Sequence, residues 1–141
     1  MRERDARAVV AVALFACCVA AVTGADEWVA PAEERARSNP VAESPEALRK
    51  GRALFQRHCT ACHGDKGKGD GPASSEARDL TDPAVQSRLT DGEIFWKIGT
   101  GRKKDDEMAM PAFARQIGAK DRWKLVLYVR SLAATATATA P

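Results

Sequence analysis

The chain has 141 residues, enough for one ordinary domain and too few for two. Its formal charge is +3, and setting aside the first 25 residues leaves 19 basic against 17 acidic side chains, a net of +2. So small an excess gives no ground for a nucleic-acid partner. Lys66, Lys68, Arg102, Lys103 and Lys104 are interrupted by Asp65, Asp70, Asp105, Asp106 and Glu107. They read as solvated loop, with a docking surface for an acidic partner as the alternative.

In chain order, the first element is an address. Arg2, Arg4 and Arg7 precede an apolar run over residues 8–22, and Thr23-Gly24-Ala25 supplies the small residues of a cleavage site before Asp26. The run is 15 residues, short of the roughly 20 that a spanning helix requires. Residues 1–25 are therefore expected to be a signal peptide, with periplasmic or otherwise exported localisation and no membrane span after cleavage. A lipoprotein site at Cys17 is disfavoured by the bulky Phe15 and by the apolar sequence that continues beyond it. Cleavage removes Cys17 and Cys18, so the exported chain keeps one pair, Cys59 and Cys62. In an oxidising compartment such a pair is a disulfide or is held by something else.

Residues 26–43 carry Pro31 and Pro40 and no hydrophobic period, which predicts a flexible linker. Trp28, its only large apolar residue, either caps the domain or stands exposed. Order is expected from Ser44, a good N-cap with Pro45 at the first helical position. Leu48, Gly51, Leu54, Phe55 and His58 then follow at helical steps, and a glycine in mid-helix implies close packing. Residues 64–72 read as a glycine loop, followed by an irregular or short helical stretch containing Pro83. Thr90-Asp91-Gly92-Glu93 is a capping box, with Ile94, Phe95 and Ile98 behind it and Gly99 and Gly101 ending the helix. A last helix over about 120–132 is apolar around most of its girth, and residues 133–141 form an Ala/Thr tail expected to be disordered. No strand pattern stands out, so the domain over 44–132 is expected to be all-α. Its 89 residues are marginal alone, and a large apolar cofactor would complete the core.

Three chemistries suit Cys59-Thr60-Ala61-Cys62-His63. Structural zinc needs four ligands, and His58, Cys59, Cys62 and His63 lie within six residues, too short a segment to close a tetrahedron. A dithiol redox site expects strands around its helix, and none is predicted. In the third, both thiols add to the vinyl groups of one haem and the histidine following them reaches the iron, the c-type haem attachment signature. This reading uses every residue of the motif, and export supplies the setting in which a tethered cofactor is retained.

His63 is then the proximal iron ligand, and His58 sits too close to Cys59 to reach the other side of the ring. Methionine is the next usual ligand. Apart from Met1 the chain has two, Met108 and Met110. Pro111 holds Met110 extended, which makes Met110 the candidate distal ligand and Met108 the reserve. Both could instead be gap-filling core residues.

With these ligands the chain resembles a class I c-type cytochrome over nearly all of 44–132. The resemblance rests on Gly51 and Phe55, Cys59-Thr60-Ala61-Cys62-His63-Gly64, Gly69-Asp70-Gly71-Pro72, Met110-Pro111-Ala112-Phe113, and Trp123 with Tyr128-Val129. It implies a small helical domain wrapped around one covalent haem c, first and last helices crossing at right angles with Gly51 and Phe55 at Tyr128, and the Pro72 carbonyl accepting from the His63 ring. The short span from haem motif to methionine is similar to cytochrome modules of oxidases and periplasmic dehydrogenases.

The function implied is an electron carrier with no catalytic residues, passing single electrons between redox partner proteins such as a dehydrogenase, an oxidase or a quinol-oxidising complex. Its weak charge suits brief encounters. A permanently docked subunit of such a complex would share the chemistry. The alternative from another class is a haem enzyme or gas sensor with an open sixth position, which would need a distal acid-base residue that the sequence does not offer.

Overall fold

The computed structural model describes residues 28–74 and 76–138, so the expected signal peptide and the last three residues of the tail lie outside it. Helix α2, Pro45–His58, starts as its sequence predicts: Ser44 is extended and its hydroxyl accepts from the Ala47 N–H at 3.1 Å. Helix α5, Asp91–Thr100, is capped by Thr90, whose hydroxyl accepts from Glu93 N–H at 3.1 Å. Only that half of the capping box forms. The buried Glu93 carboxylate pairs with Lys97 at 3.0 Å, because one turn along the helix puts an ammonium within its reach.

The long C-terminal helix α6, Ala119–Ala138, is the centre of the domain, and α2 packs against it. Gly51 makes this possible. A Cβ there would fall on the Lys124 carbonyl oxygen and within 2.8 Å of Tyr128 Cβ, so the two backbones touch where any side chain would separate them. Phe55, one turn on, is fully buried and its ring lies 5.4 Å from that of Tyr128. Leu125 and Val126 are likewise fully buried, and Trp123 stacks on Phe95 of α5 at 4.1 Å with 15° between planes. Helix α6 therefore has apolar neighbours on several sides, as its girth required.

The structure revises three boundaries. First, the segment before Ser44 is packed from Trp28 onward. Ala30 is buried, a single turn α1 spans Ala32–Arg35, and the Asn39 amide donates to the Trp123 carbonyl at 3.0 Å. The Arg37 guanidinium lies 4.7 Å from the Phe95 ring centre and 5.3 Å from that of Trp123. Cation-on-ring contacts and one amide hold this stretch, and neither leaves a periodic signature. Second, α6 continues past Leu132 to Ala138, with Ala133 buried and the Thr135 hydroxyl returning to the Ser131 carbonyl at 2.8 Å. Alanines extend a helix that packing has already nucleated.

Third, the domain contains a hairpin. Strands β1, Arg102–Lys104, and β2, Glu107–Met110, pair antiparallel, with Arg102 opposite Met110 and Lys103 opposite Met108. Asp105 and Asp106 make the turn with φ of 50° and 65°, the pair of positive angles that suits a tight hairpin. The strands are three and four residues long and mostly exposed, too short and too charged to show alternation.

The chain between the glycine loop and α5 is clamped to α6. A short helix α4, Pro83–Ser87, is capped by Asp82, whose carboxylate accepts from Ala84 N–H at 2.8 Å. Arg130 reaches across from α6: Nε bonds Asp91 at 2.8 Å, and its terminal nitrogens bond the carbonyls of Gln86 and Leu89, each at 2.6 Å. Arg130→Ala is expected to lower stability by about 2 kcal/mol in denaturant titration, from carbonyls and a carboxylate left without a donor. Arg130→Lys should recover little, since one ammonium cannot span a three-way fork.

Candidate functional site

Cys59 ends α2, its N–H bonding the Phe55 carbonyl at 2.8 Å, and at once begins α3, Thr60–His63. This single turn puts Cys59, Cys62 and His63 at i, i+3 and i+4, and the His63 N–H closes it on the Cys59 carbonyl at 2.8 Å. The glycine loop folds back over the turn through Gly71 N–H to the Cys62 carbonyl at 3.1 Å and Ala73 N–H to the Ala61 carbonyl at 2.8 Å. All three side chains line one cavity of about 1190 Å³ whose walls include Phe55, Ile94, Ile98, Phe113, Leu125 and Val129. Ordinary ligand sites run from roughly 300 to 1,000 Å³, so this space suits a large, mostly apolar group.

The electrostatics of the motif bear on the competing chemistries. Burial, followed by the neighbouring Cys62, pushes the Cys59 thiol up to about 12. A redox dithiol needs a ready thiolate, and this cysteine is a protonated thiol at neutral pH. His58 lines the same cavity with its ring edge-on to Phe113 at 5.7 Å, and among the described residues no three His, Cys, Asp or Glu side chains are grouped to hold a metal ion. Burial lowers the pKa of His63, outweighing a hydrogen bond to a backbone carbonyl that raises it, and a neutral imidazole is the form that binds metal. Nδ1 lies 3.1 Å from the Arg78 carbonyl oxygen. A carbonyl only accepts, so Nδ1 carries the hydrogen and Nε2 keeps the lone pair.

That partner corrects an expectation. The His63 ring bonds the Arg78 carbonyl and not that of Pro72, which is exposed. Beyond the glycine loop the chain turns back, Leu80 N–H bonding the Gly67 carbonyl at 2.7 Å, and so brings residue 78 to the ring. A backbone carbonyl has no residue signature, and nothing in the sequence could have singled it out.

Both methionines line the cavity, but differently. Met108 is 54% exposed, whereas Met110 is half-buried against the core. Gly101, at φ 68°, lets the Met-Pro segment close on the end of α5: a Cβ there would lie 2.7 Å from the Ala112 nitrogen. Phe113 N–H to the Ile98 carbonyl at 3.0 Å and Ala114 N–H to the Gly99 carbonyl at 3.2 Å then hold the segment. Of the two places the sequence allows Trp28, capping the domain or exposed, it takes the first, on the cavity lining beside Lys97 and Arg102.

A helical domain with both thiols, a neutral histidine and a methionine around one apolar cavity is a class I c-type cytochrome domain. The chain belongs to the family described as cytochrome C oxidase, cbb3-type, subunit III, whose model matches residues 46–129. Among solved structures it is similar to the KustC0563 c-type cytochrome, at 26% identity and a TM-score of 0.52, over 58% of this chain and 95% of that one. It is also similar to a chain of the Kuenenia stuttgartiensis reducing HAO-like protein complex Kustc0457/Kustc0458, at 26% identity and a TM-score of 0.55. That match covers 66% of this chain and 46% of the other. No curated protein matches. Membership implies covalently bound haem c, and the cavity size, its apolar walls, the thiol pair at its edge and the neutral His63 all fit that group.

Proposed function

We propose that the chain is an exported, periplasmic monohaem cytochrome that carries single electrons between partner proteins, with one haem tethered by Cys59 and Cys62 and its iron held by His63 and Met110. The observation that carries the reading is the meeting of these four side chains on one apolar-walled cavity. Bound haem supplies a one-electron Fe(III)/Fe(II) couple. The Arg78 carbonyl fixes the His63 tautomer and ring orientation, as partners of metal-bound histidines do. Pro111 keeps the Met110 backbone extended, and a thioether ligand favours the reduced state and a more positive potential. Phe55, Ile98 and Leu125 keep water from the interior, which lowers the solvent rearrangement that a change of charge requires.

Export is supported by the arginines, apolar run and small residues of positions 1–25, and among the described residues no helix is long and apolar enough to cross a membrane. Partner proteins are supported by the family description, which names an oxidase subunit, and by the similar chain belonging to a complex. A free carrier and a docked subunit would use the same site.

The test is the visible spectrum of the full chain expressed with haem-attachment machinery, oxidised and reduced. Low-spin spectra unaffected by carbon monoxide are expected, and a high-spin spectrum that carbon monoxide alters would replace the carrier with an open-site enzyme or sensor. In addition, Cys59→Ser with Cys62→Ser should remove all haem that survives denaturing electrophoresis. Haem staining that persists in the double variant would refute tethering at this pair.

A further inference from the structure

Trp28 lies outside the residues matched to the family, yet it lines the cavity, and its ring nitrogen is buried without an acceptor. Two cations stand against the same ring, Lys97 Nζ at 4.8 Å and Arg102 Cζ at 5.8 Å from its centre. Lys97 is also paired with Glu93, whose carboxylate is thereby occupied and does not serve the indole. Positive charge at an indole ring draws electron density from its N–H and favours an anionic acceptor there. The haem periphery is hydrocarbon except for two propionate carboxylates. Any acceptor that a bound haem presents to this N–H is therefore a carboxylate.

We propose that Trp28 Nε1–H, flanked by Lys97 and Arg102, is a binding site for a haem propionate, and that it turns the segment before α2 into a strap fastened by the haem. This rests on the haem reading above. The strap's far end is already held by Arg37 on Phe95 and Trp123 and by Asn39 on the Trp123 carbonyl. Nearer its start Ala30 is buried and the Glu34 carbonyl lies against Gly92 of α5, and the indole is the segment's contact with the cavity.

Trp28→Phe keeps a ring for the cations and removes only the donor. The readouts are tryptic cleavage after Arg35 and Arg37, in haem-loaded and haem-free chain, and the midpoint potential of the loaded protein. In the loaded variant cleavage should accelerate by about tenfold, the scale of losing a bond to a charged group. Its potential should fall, because a carboxylate without its donor favours the ferric state. The haem-free variant and wild type should be cleaved alike. Equal acceleration in both forms, no acceleration in the loaded form, or faster cleavage at an unchanged potential would each overturn the strap. A wild-type chain that retains no haem would overturn the haem reading along with it, whereas a haem-loaded wild type with an indifferent variant rejects the strap alone.

Discussion

Met110→Ala is expected to remove the weak far-red sulfur-to-iron band and to move the midpoint potential toward the negative end of the roughly 0.8 V over which axial ligands set it. Met108→Ala should leave both unchanged. The contrast follows from where the hairpin sets the two thioethers. Met110 ends β2, is half-buried against the core, and precedes a proline and two backbone bonds to α5. Met108 pairs with Lys103 and is 54% exposed, so holding it inward would cost more order than the hairpin supplies. Optical spectra and redox titration of the two variants decide the matter. A far-red band that survives in Met110→Ala and disappears in Met108→Ala would reverse the assignment.

The second large effect lies away from the cavity, at Gly51. Alanine in mid-helix normally gains about 1 kcal/mol over glycine. Here the new methyl would meet the Lys124 carbonyl and Tyr128 Cβ, and backbone cannot swing aside as a side-chain end can. Overpacking costs typically 1–3 kcal/mol, so after the helix gain Gly51→Ala is expected to lose about 1 kcal/mol net, and Gly51→Leu to leave little folded, haem-loaded protein. Denaturant midpoints and haem yield measure this, with exposed Arg52→Ala as a near-neutral comparison. A Gly51→Ala variant as stable as wild type would mean that α2 and α6 do not meet at this glycine.

Features legible in the sequence are those whose cause lies within a few residues. Ser44 and Thr90 cap their helices because a short hydroxyl side chain reaches an N–H three residues on. Cys59, Cys62 and His63 share a face because one helical turn puts them there. Gly51 could be suspected of a close contact because its cost within the helix is local, although the partner that fits it lies on α6.

The remainder was illegible for a common reason. Arg37 on Trp123, Asn39 on the Trp123 carbonyl and Lys97 on Trp28 join residues far apart in sequence through contacts that any loop arginine, asparagine or lysine could make. The hairpin depends on two aspartates accepting positive φ, and α6 outlasts its apolar stripe because a packed helix carries its alanines along. The sequence by itself determined the helical class, the haem-attachment motif, and a choice of two methionines. Only the tertiary structure decided that the Arg78 carbonyl orients His63, that Met110 lies nearer the core, and that Trp28 belongs to the cavity wall. Those choices depend on which distant backbone and ring surfaces are brought together, and a one-dimensional pattern carries local periods but no record of such encounters.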